Sequence, residues 1–183
     1  MMRMPLGGRR PAKLLDVEGL MAYAARVLSA RAQTISELRE KLKRRASRAE
    51  DVDAVLARLK GIGYLNDQKF ADSFATWRRE NEGLGKTRVL RDLMARRVAP
   101  ALARKAADAA YAEVDEVALI ETFLERKYRG KNLGALLADQ KHLASAYRKL
   151  RLAGFTSGNS IRVLKRFAAE AERLEEMEDD SQG

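Results

Sequence analysis

The sequence contains one helix-loop-helix pattern three times along its length. Residues 36–59 (SELREKLKRRASRAEDVDAVLARL) align with residues 87–110 (TRVLRDLMARRVAPALARKAADAA) after a shift of 51 positions. Residues 145–167 repeat the pattern after a further shift of 57, so that Leu42, Leu93 and Leu150 occupy equivalent positions. Self-similarity of this kind is typical of stacked helical units, each of which buries an apolar face against a neighbour. Such arrays form long binding surfaces, and they rarely enclose a catalytic pocket.

Amino-acid usage favours helices and excludes several classes of protein. The 183 residues include only three prolines, and no period-two run of β-branched residues is present, so we predict an all-α fold without a sheet. The absence of cysteine excludes disulfides and thiolate metal sites, and it suits a reducing compartment. No apolar run approaches the roughly 20 residues of a membrane-spanning helix. We therefore expect a cytoplasmic monomer with no membrane partner.

The charge of the chain is strongly positive and unevenly distributed. The formal net charge is +10, although residues 170–183 hold seven acidic residues against one arginine. The rest of the chain therefore carries +16, which favours a polyanionic partner such as the DNA phosphate backbone. Solvation of long helices is the simpler explanation of the same charges. Residues 1–16 are expected to form a flexible basic arm and residues 175–183 a disordered acidic tail, which could instead compete with nucleic acid for the basic face.

Clusters of basic residues supply the candidate contacts with such a partner. Several lysines and arginines adjoin one another rather than alternating with acidic residues. From this clustering we predict that the binding residues include Arg39, Lys43, Arg44, Arg78, Arg79, Lys86, Arg88, Arg91, Arg96 and Arg97.

Capping signals divide the chain into three predicted three-helix repeats, at residues 17–63, 64–113 and 114–174. Thr34 with Glu37, and Ser47 with Glu50, each have the spacing of a capping box and predict two helix starts in the first repeat. Asn66 or Asp67 is predicted to open the second repeat, and Pro100 suits the first turn of a helix. The aromatic stripe of Phe70, Phe74 and Trp77 has helical spacing and is expected to be core.

Residues that could support catalysis or tight ligand binding are not arranged to do so. Gly85, Lys86 and Thr87 suggest a phosphate-binding loop, but the motif requires a glycine where the chain has Glu80. The single histidine, His142, has no serine–acid partnership and is interpreted as a surface or capping residue. We therefore predict that the protein is not an enzyme and that it uses no metal or cofactor.

Residues 61–71 (GIGYLNDQKFA) resemble the most recognisable segment of the RecX family, bacterial regulators of the RecA recombinase. Residues 24–42 and 85–98 are similar to segments of the family's first and second units, and the resemblance extends over residues 17–168. The family's usual turn glycine is Ala46 in the first repeat and Arg97 in the second, whereas Gly154 retains it in the third. The motif residues, interpreted as mainly structural, are Gly63, Tyr64, Leu65, Asp67, Phe70 and Ala71. Among them Tyr64, Leu65 and Phe70 are expected to hold the first repeat against the second, and Asp67 to cap the helix that follows it.

The resemblance implies an elongated, curved array of three tandem three-helix repeats. It also implies binding in the groove of RecA filaments on single-stranded DNA, with inhibition of ATP hydrolysis, strand exchange and coprotease activity. Two other functions remain open from the residues alone. One is a free DNA-binding protein built from helix-turn-helix-like units, and the other is a helical scaffold that binds acidic protein partners.

Overall fold

The computed structural model describes residues 14–168, and within that range the protein is helical. The helices are α1 (Val17–Ala30), α2 (Ile35–Lys43), α3 (Ala49–Gly61), α4 (Asp67–Trp77), α5 (Lys86–Ala95), α6 (Pro100–Tyr111), α7 (Glu116–Lys127), α8 (Leu133–Leu137), α9 (Gln140–Ala153) and α10 (Ser157–Leu164). A π-helical segment, Arg78–Glu82, extends α4. The described residues form no strand, and their one isolated β-bridge joins Leu15 to Ala46. The all-α prediction is thus confirmed, while most of the predicted arm and the predicted tail lie outside the described range.

Helices α1–α3 form the first compact unit, which ends at Asp67. Its buried core consists of Leu20, Ala24, Leu38, Leu42, Val52, Val55, Leu56, Leu59 and Leu65. The predicted capping box at the start of α2 is confirmed, because the Thr34 hydroxyl accepts from the Glu37 N–H and the Glu37 carboxylate accepts from the Thr34 N–H. Each of these bonds satisfies a backbone donor that the first helical turn leaves without a partner.

The second predicted capping box, at Ser47, is wrong. The Ser47 hydroxyl donates instead to the Leu15 carbonyl at 2.9 Å, and α3 begins after Arg48 without a side-chain cap. Leu15 also donates its N–H to the Arg45 carbonyl at 2.7 Å, so the chain before α1 pairs with the turn between α2 and α3. Leu15 and Asp16 therefore belong to the first unit rather than to the arm, since Asp16 caps α1.

The second compact unit begins at Gln68 and contains the remaining helices in two apolar clusters. Ala71, Ala75, Val89, Leu93, Val98, Ala103 and Ala106 form the cluster of α4–α6. The cluster of α7–α10 includes Ile120, Leu124, Leu137, Leu143, Tyr147, Leu150, Phe155 and Leu164, and Leu84 packs against both clusters. The third repeat is not a simple three-helix unit, because Asn132 caps the additional short helix α8 between α7 and α9.

The three equivalent turn positions adopt different backbone conformations. Gly154 has φ 91° and Arg97 has φ 59°, so both turns use the left-handed region that glycine tolerates best. Ala46 lies outside that region and takes part in the bridge with Leu15. Arg97, in place of glycine, therefore strains the backbone of the second repeat, whereas the first repeat forms a different turn at Ala46.

The aromatic stripe on α4 is only partly core, which corrects the prediction made for it. Phe70 and Phe74 are half-buried and stack with their ring centroids 5.7 Å apart, but Trp77 is 53% exposed. Ala71 and Ala75 occupy the fully buried face instead. Ala71 and Ala75 belong to the apolar cluster of α4–α6, Phe70 and Phe74 pack against it partly buried, and Trp77 is not part of it.

Candidate functional site

Asp92 organises the basic residues of the second repeat. Its carboxylate accepts hydrogen bonds from Arg78 and from the Arg88 Nε, the latter at 3.0 Å. Arg78 also pairs with Glu82 and lies over the Phe74 ring, with its guanidinium carbon 5.5 Å from the ring centroid. Burial lowers the pKa of Arg78, but its hydrogen bonds to the two carboxylates outweigh burial and raise the pKa above its ordinary value. Arg78 is therefore a permanently charged part of the internal structure, with 18% of its side chain exposed.

Three further candidates also make internal contacts. Arg79 donates to the Ala110 carbonyl, which ties the π-helical segment to the end of α6. The Arg96 guanidinium carbon lies 4.8 Å from the centroid of the Phe70 ring, where it covers the stacked aromatic pair. Lys86 forms an ion pair with Asp108 at 2.8 Å, although both side chains are about half exposed. Of these, Lys86 remains the most accessible to a partner.

In the first unit, two of the three candidates have acidic neighbours. Arg39 pairs with Asp53 at 2.6 Å, and Lys43 lies 3.8 Å from Glu40. Exposed pairs of this kind contribute little to stability and can exchange for another anion at small cost. Arg44 is exposed and has no side-chain partner within the described part of the chain.

Three candidates thus present an uncommitted guanidinium group. Arg44, Arg91 and Arg97 are exposed, and their side chains make no ion pair or hydrogen bond with residues 14–168. Arg44 follows α2, while Arg91 lies on α5 and Arg97 follows it. These three side chains can meet an external anion without breaking an internal contact.

The N-terminus of α5 is joined to the C-terminus of α9 by backbone contacts. Gly85 donates its N–H to the Ala153 carbonyl at 2.8 Å, and Thr87 donates to the Gly154 carbonyl at 3.3 Å. A β-carbon on Gly154 would lie 2.2 Å from the Arg88 nitrogen, so the two chains meet too closely for a side chain. These carbonyls occupy amide groups that a phosphate-binding loop would present to its ligand, which agrees with the rejection of that motif.

Two exposed residues of α9, Arg148 and Leu152, were not predicted from the sequence as binding residues. Leu152 is 63% exposed, and Arg148, one helical turn before it, is also exposed. The Arg88 Nη1 donates to the Leu152 carbonyl at 3.4 Å, which places Leu152 beside α5. Arg148 and Leu152 each lie two positions from the buried Leu150, and this spacing could have indicated that they face outward. Nothing local in the sequence indicates that α5 lies beside α9.

The motif residues divide into buried and exposed positions. Leu65 and Ala71 are buried, and Gly63 has φ 76°, as a mainly structural role requires. Tyr64 is 73% exposed, so most of its side chain faces solvent. Asp67 is the first residue of α4, yet its carboxylate accepts from the Ile35 N–H at 2.8 Å. Asp67 therefore caps α2 instead of the helix that it begins.

The single histidine, His142, is part of a helix cap. His142 lies in the first turn of α9, where its backbone N–H and its Nδ1 both contact the capping residue Asp139. The backbone N–H of His142 is the main cause that lowers the pKa of Asp139, and the imidazole contact adds to it. Residues 14–168 contain no group of histidines and carboxylates placed to hold a metal ion. No helix in that range is both long and apolar enough to cross a bilayer.

Comparisons with known proteins find one family model and several regulatory proteins that are similar to this chain. Residues 66–106, which include α4 and α5, match the family model described as RecX, second three-helix domain. The chain is 36% identical over 146 residues to the regulatory protein RecX of Deinococcus radiodurans, covering 79% of this chain and 65% of that protein. It is 31% identical over 139 residues to the regulatory protein RecX of Trichlorobacter lovleyi, covering 76% and 85% of the two chains.

Solved structures share the same fold. A crystal structure of a regulatory protein RecX matches with a TM-score of 0.58 at 19% identity, covering 80% of this chain and 72% of that one. The crystal structure of RecX from Lactobacillus salivarius matches with a TM-score of 0.60 at 16% identity, covering 83% and 96%. At this identity the likeness supports the helical architecture alone.

Proposed function

Because the chain belongs to the RecX family of regulatory proteins, we propose that it is a negative modulator of the RecA recombinase. It binds in the groove of RecA filaments on single-stranded DNA and inhibits ATP hydrolysis, strand exchange and coprotease activity. It acts in the cytoplasm as a monomer, without a cofactor, by occupying the groove rather than by making or breaking bonds.

The exposed and uncommitted arginines support this proposal most directly. Arg44, Arg91 and Arg97 remain available after the internal ion pairs have been assigned, and the chain outside its acidic end is strongly basic. A filament presents phosphates along its DNA and carboxylates on its protein subunits, and guanidinium groups bind both well. Phosphate contacts are independent of sequence and weaken as salt rises.

A binding experiment with three targets tests the proposal. The protein is titrated against RecA–single-stranded DNA filaments, against naked DNA and against RecA alone, with binding followed by co-sedimentation or fluorescence anisotropy. We expect tight binding to the assembled filament and a fall in its rate of ATP hydrolysis. Equal binding to a naked duplex would support the free DNA-binding alternative, and binding that ignores DNA would support the scaffold alternative.

A matched pair of variants tests the assigned residues. Replacing Arg44, Arg91 and Arg97 together with alanine is expected to weaken filament binding at least about tenfold, as loss of a few charged interface contacts typically does. The control replaces Arg129, Lys131 and Arg162 with alanine; these residues are also exposed, and their replacement removes the same net charge. If both variants lose the same affinity, net charge rather than these three arginines determines binding.

A further inference from the structure

Leu152 is an exposed aliphatic residue with arginines on its own helix face and on the neighbouring helix. It lies on the outer face of α9, on the side opposite the buried Leu150, and 63% of its surface is accessible. Arg148 lies four residues earlier and therefore on the same face of the helix. The C-terminal half of α9 thus presents an apolar side chain next to a cation.

Two arginines of α5 continue this surface across the helix joint. The Arg88 Nη1 is 3.4 Å from the Leu152 carbonyl oxygen, and Arg91 follows Arg88 at helical spacing. Asp92 fixes the Arg88 guanidinium, with distances of 3.0 and 3.2 Å from the Arg88 Nε to the two carboxylate oxygens. We call Arg88, Arg91, Arg148 and Leu152 the α5–α9 strip. It spans the second and third repeats within one compact unit.

The joint beneath the strip is rigid at the level of the backbone. The two hydrogen bonds from Gly85 and Thr87 to the end of α9 leave no room for a side chain at Gly154. The backbones of α5 and α9 that carry the strip are consequently joined before any partner binds. Preorganisation of this kind reduces the entropy lost on association.

The chemistry of the strip distinguishes between partners. A single exposed leucine is ordinary on a protein surface. Here, however, it is flanked by guanidinium groups, and an apolar centre bordered by arginine is the usual composition of a protein–protein contact. The phosphates of a DNA backbone pair with arginines but offer no apolar surface to Leu152, whereas a protein recess lined by carboxylates would match both the leucine and the arginines.

Building on the proposed function, we propose that the α5–α9 strip docks on an acidic protein surface with an apolar recess. Within the filament this partner is the recombinase subunits and not the DNA. Leu152 enters the recess, and Arg91 and Arg148 pair with carboxylates at its rim.

Replacement of Leu152 with serine tests this assignment. The variant keeps every charge, so it separates apolar docking from general electrostatic attraction. Ile62→Ser is the matched control, because Ile62 is 56% exposed but lies in the first unit. Each variant is titrated against the RecA–single-stranded DNA filament and against the same single strand without RecA, after circular dichroism has confirmed unchanged helix content.

We expect Leu152→Ser to weaken filament binding about tenfold or more, as truncation of a central interface residue does. Binding to the naked strand should stay within about twofold of the parent protein, because phosphate contacts dominate that affinity. Ile62→Ser should change neither. Arg148→Ala should also weaken filament binding, while its binding to the naked strand should stay close to that of the parent protein.

The outcomes separate this inference from the proposed function. If the parent protein does not bind the filament, the proposed function fails and the strip loses its partner. If the parent binds and Leu152→Ser binds equally well, the function stands and the docking assignment is overturned. Equal losses on filament and naked strand would place the strip on DNA. If the parent protein is a dimer and Leu152→Ser is a monomer, the strip binds a second copy of the chain. Each of these last two results also overturns the assignment to the recombinase.

Discussion

Replacing Gly154 with alanine should destabilise the second unit more than the same replacement at Gly130 or Gly158. Gly154 ends α9 with φ 91°, and the added β-carbon would lie 2.2 Å from the Arg88 nitrogen and 2.5 Å from the Arg88 Cβ. Both atoms belong to the start of α5 and cannot rotate away. Alanine therefore forces the two helix ends apart as well as straining its own backbone.

The expected cost follows from these two effects. The left-handed conformation costs a residue other than glycine about 1–2 kcal/mol. Separation of the helix ends breaks the hydrogen bonds that Gly85 and Thr87 donate to α9, each contributing about 1 kcal/mol. The sum is about 3–4 kcal/mol, which for a chain of this size lowers the melting temperature by roughly 10 °C.

Two glycines in the same unit provide controls. Gly130 has φ 78° but nothing within 4 Å of an added β-carbon, so Gly130→Ala isolates the backbone strain. Gly158 lies in α10 with neither strain nor close contact, and alanine there should stabilise the helix by about 0.5–1 kcal/mol. Urea unfolding followed at 222 nm gives the free energy of unfolding for each variant. If Gly154→Ala costs no more than Gly130→Ala, the close approach of α5 and α9 does not exist in solution.

Three further predictions concern single residues. Arg97→Gly should raise the free energy of unfolding by about 0.5–1 kcal/mol, because it relieves a left-handed φ of 59°, whereas Arg91→Gly inside α5 should lower it; urea titrations of both variants check this. Burial raises the pKa of Tyr111 to about 12, above its value of about 10 in the unfolded chain. The folded state retains that proton, so stability should fall between about pH 10 and 12, and Tyr111→Phe should reduce this slope in denaturant titrations. Trp77 is 53% exposed, so acrylamide should quench its fluorescence nearly as well in the native protein as in urea; strong protection would contradict its placement.

Features determined by neighbouring residues were predictable from the sequence. The capping box at Thr34, the start of α6 at Pro100 and the glycine turn at Gly154 each depend on a few consecutive residues, and all three are present. The helical repeat was visible for the same reason, because apolar spacing records which face of each helix is buried.

Features determined by distant residues were not predictable in this way. Asp67 reaches a backbone amide 32 positions earlier, and Arg78 pairs with a carboxylate 14 positions later, on another helix. Clustering of positive charge identified Arg78 as a binding residue, but only the packing of the π-helical segment against α5 shows that Asp92 already neutralises its charge. The prediction that Trp77 is core was wrong because Ala71 and Ala75, and not the ring of Trp77, occupy the fully buried positions of α4.

Arg88 shows why internal contacts do not remove a basic residue from a binding surface. Its guanidinium is fixed by Asp92 and reaches the Leu152 carbonyl, yet 39% of the side chain stays exposed. A side chain that is already ordered loses little rotamer entropy when a partner binds, whereas Arg91 and Arg148 must still be ordered. The latter two supply the net positive charge of the α5–α9 strip, because Asp92 offsets that of Arg88. Arg88 instead adds a side-chain hydrogen bond between the two helices to the backbone bonds of Gly85 and Thr87, so it contributes both to the docking surface and to the joint beneath it.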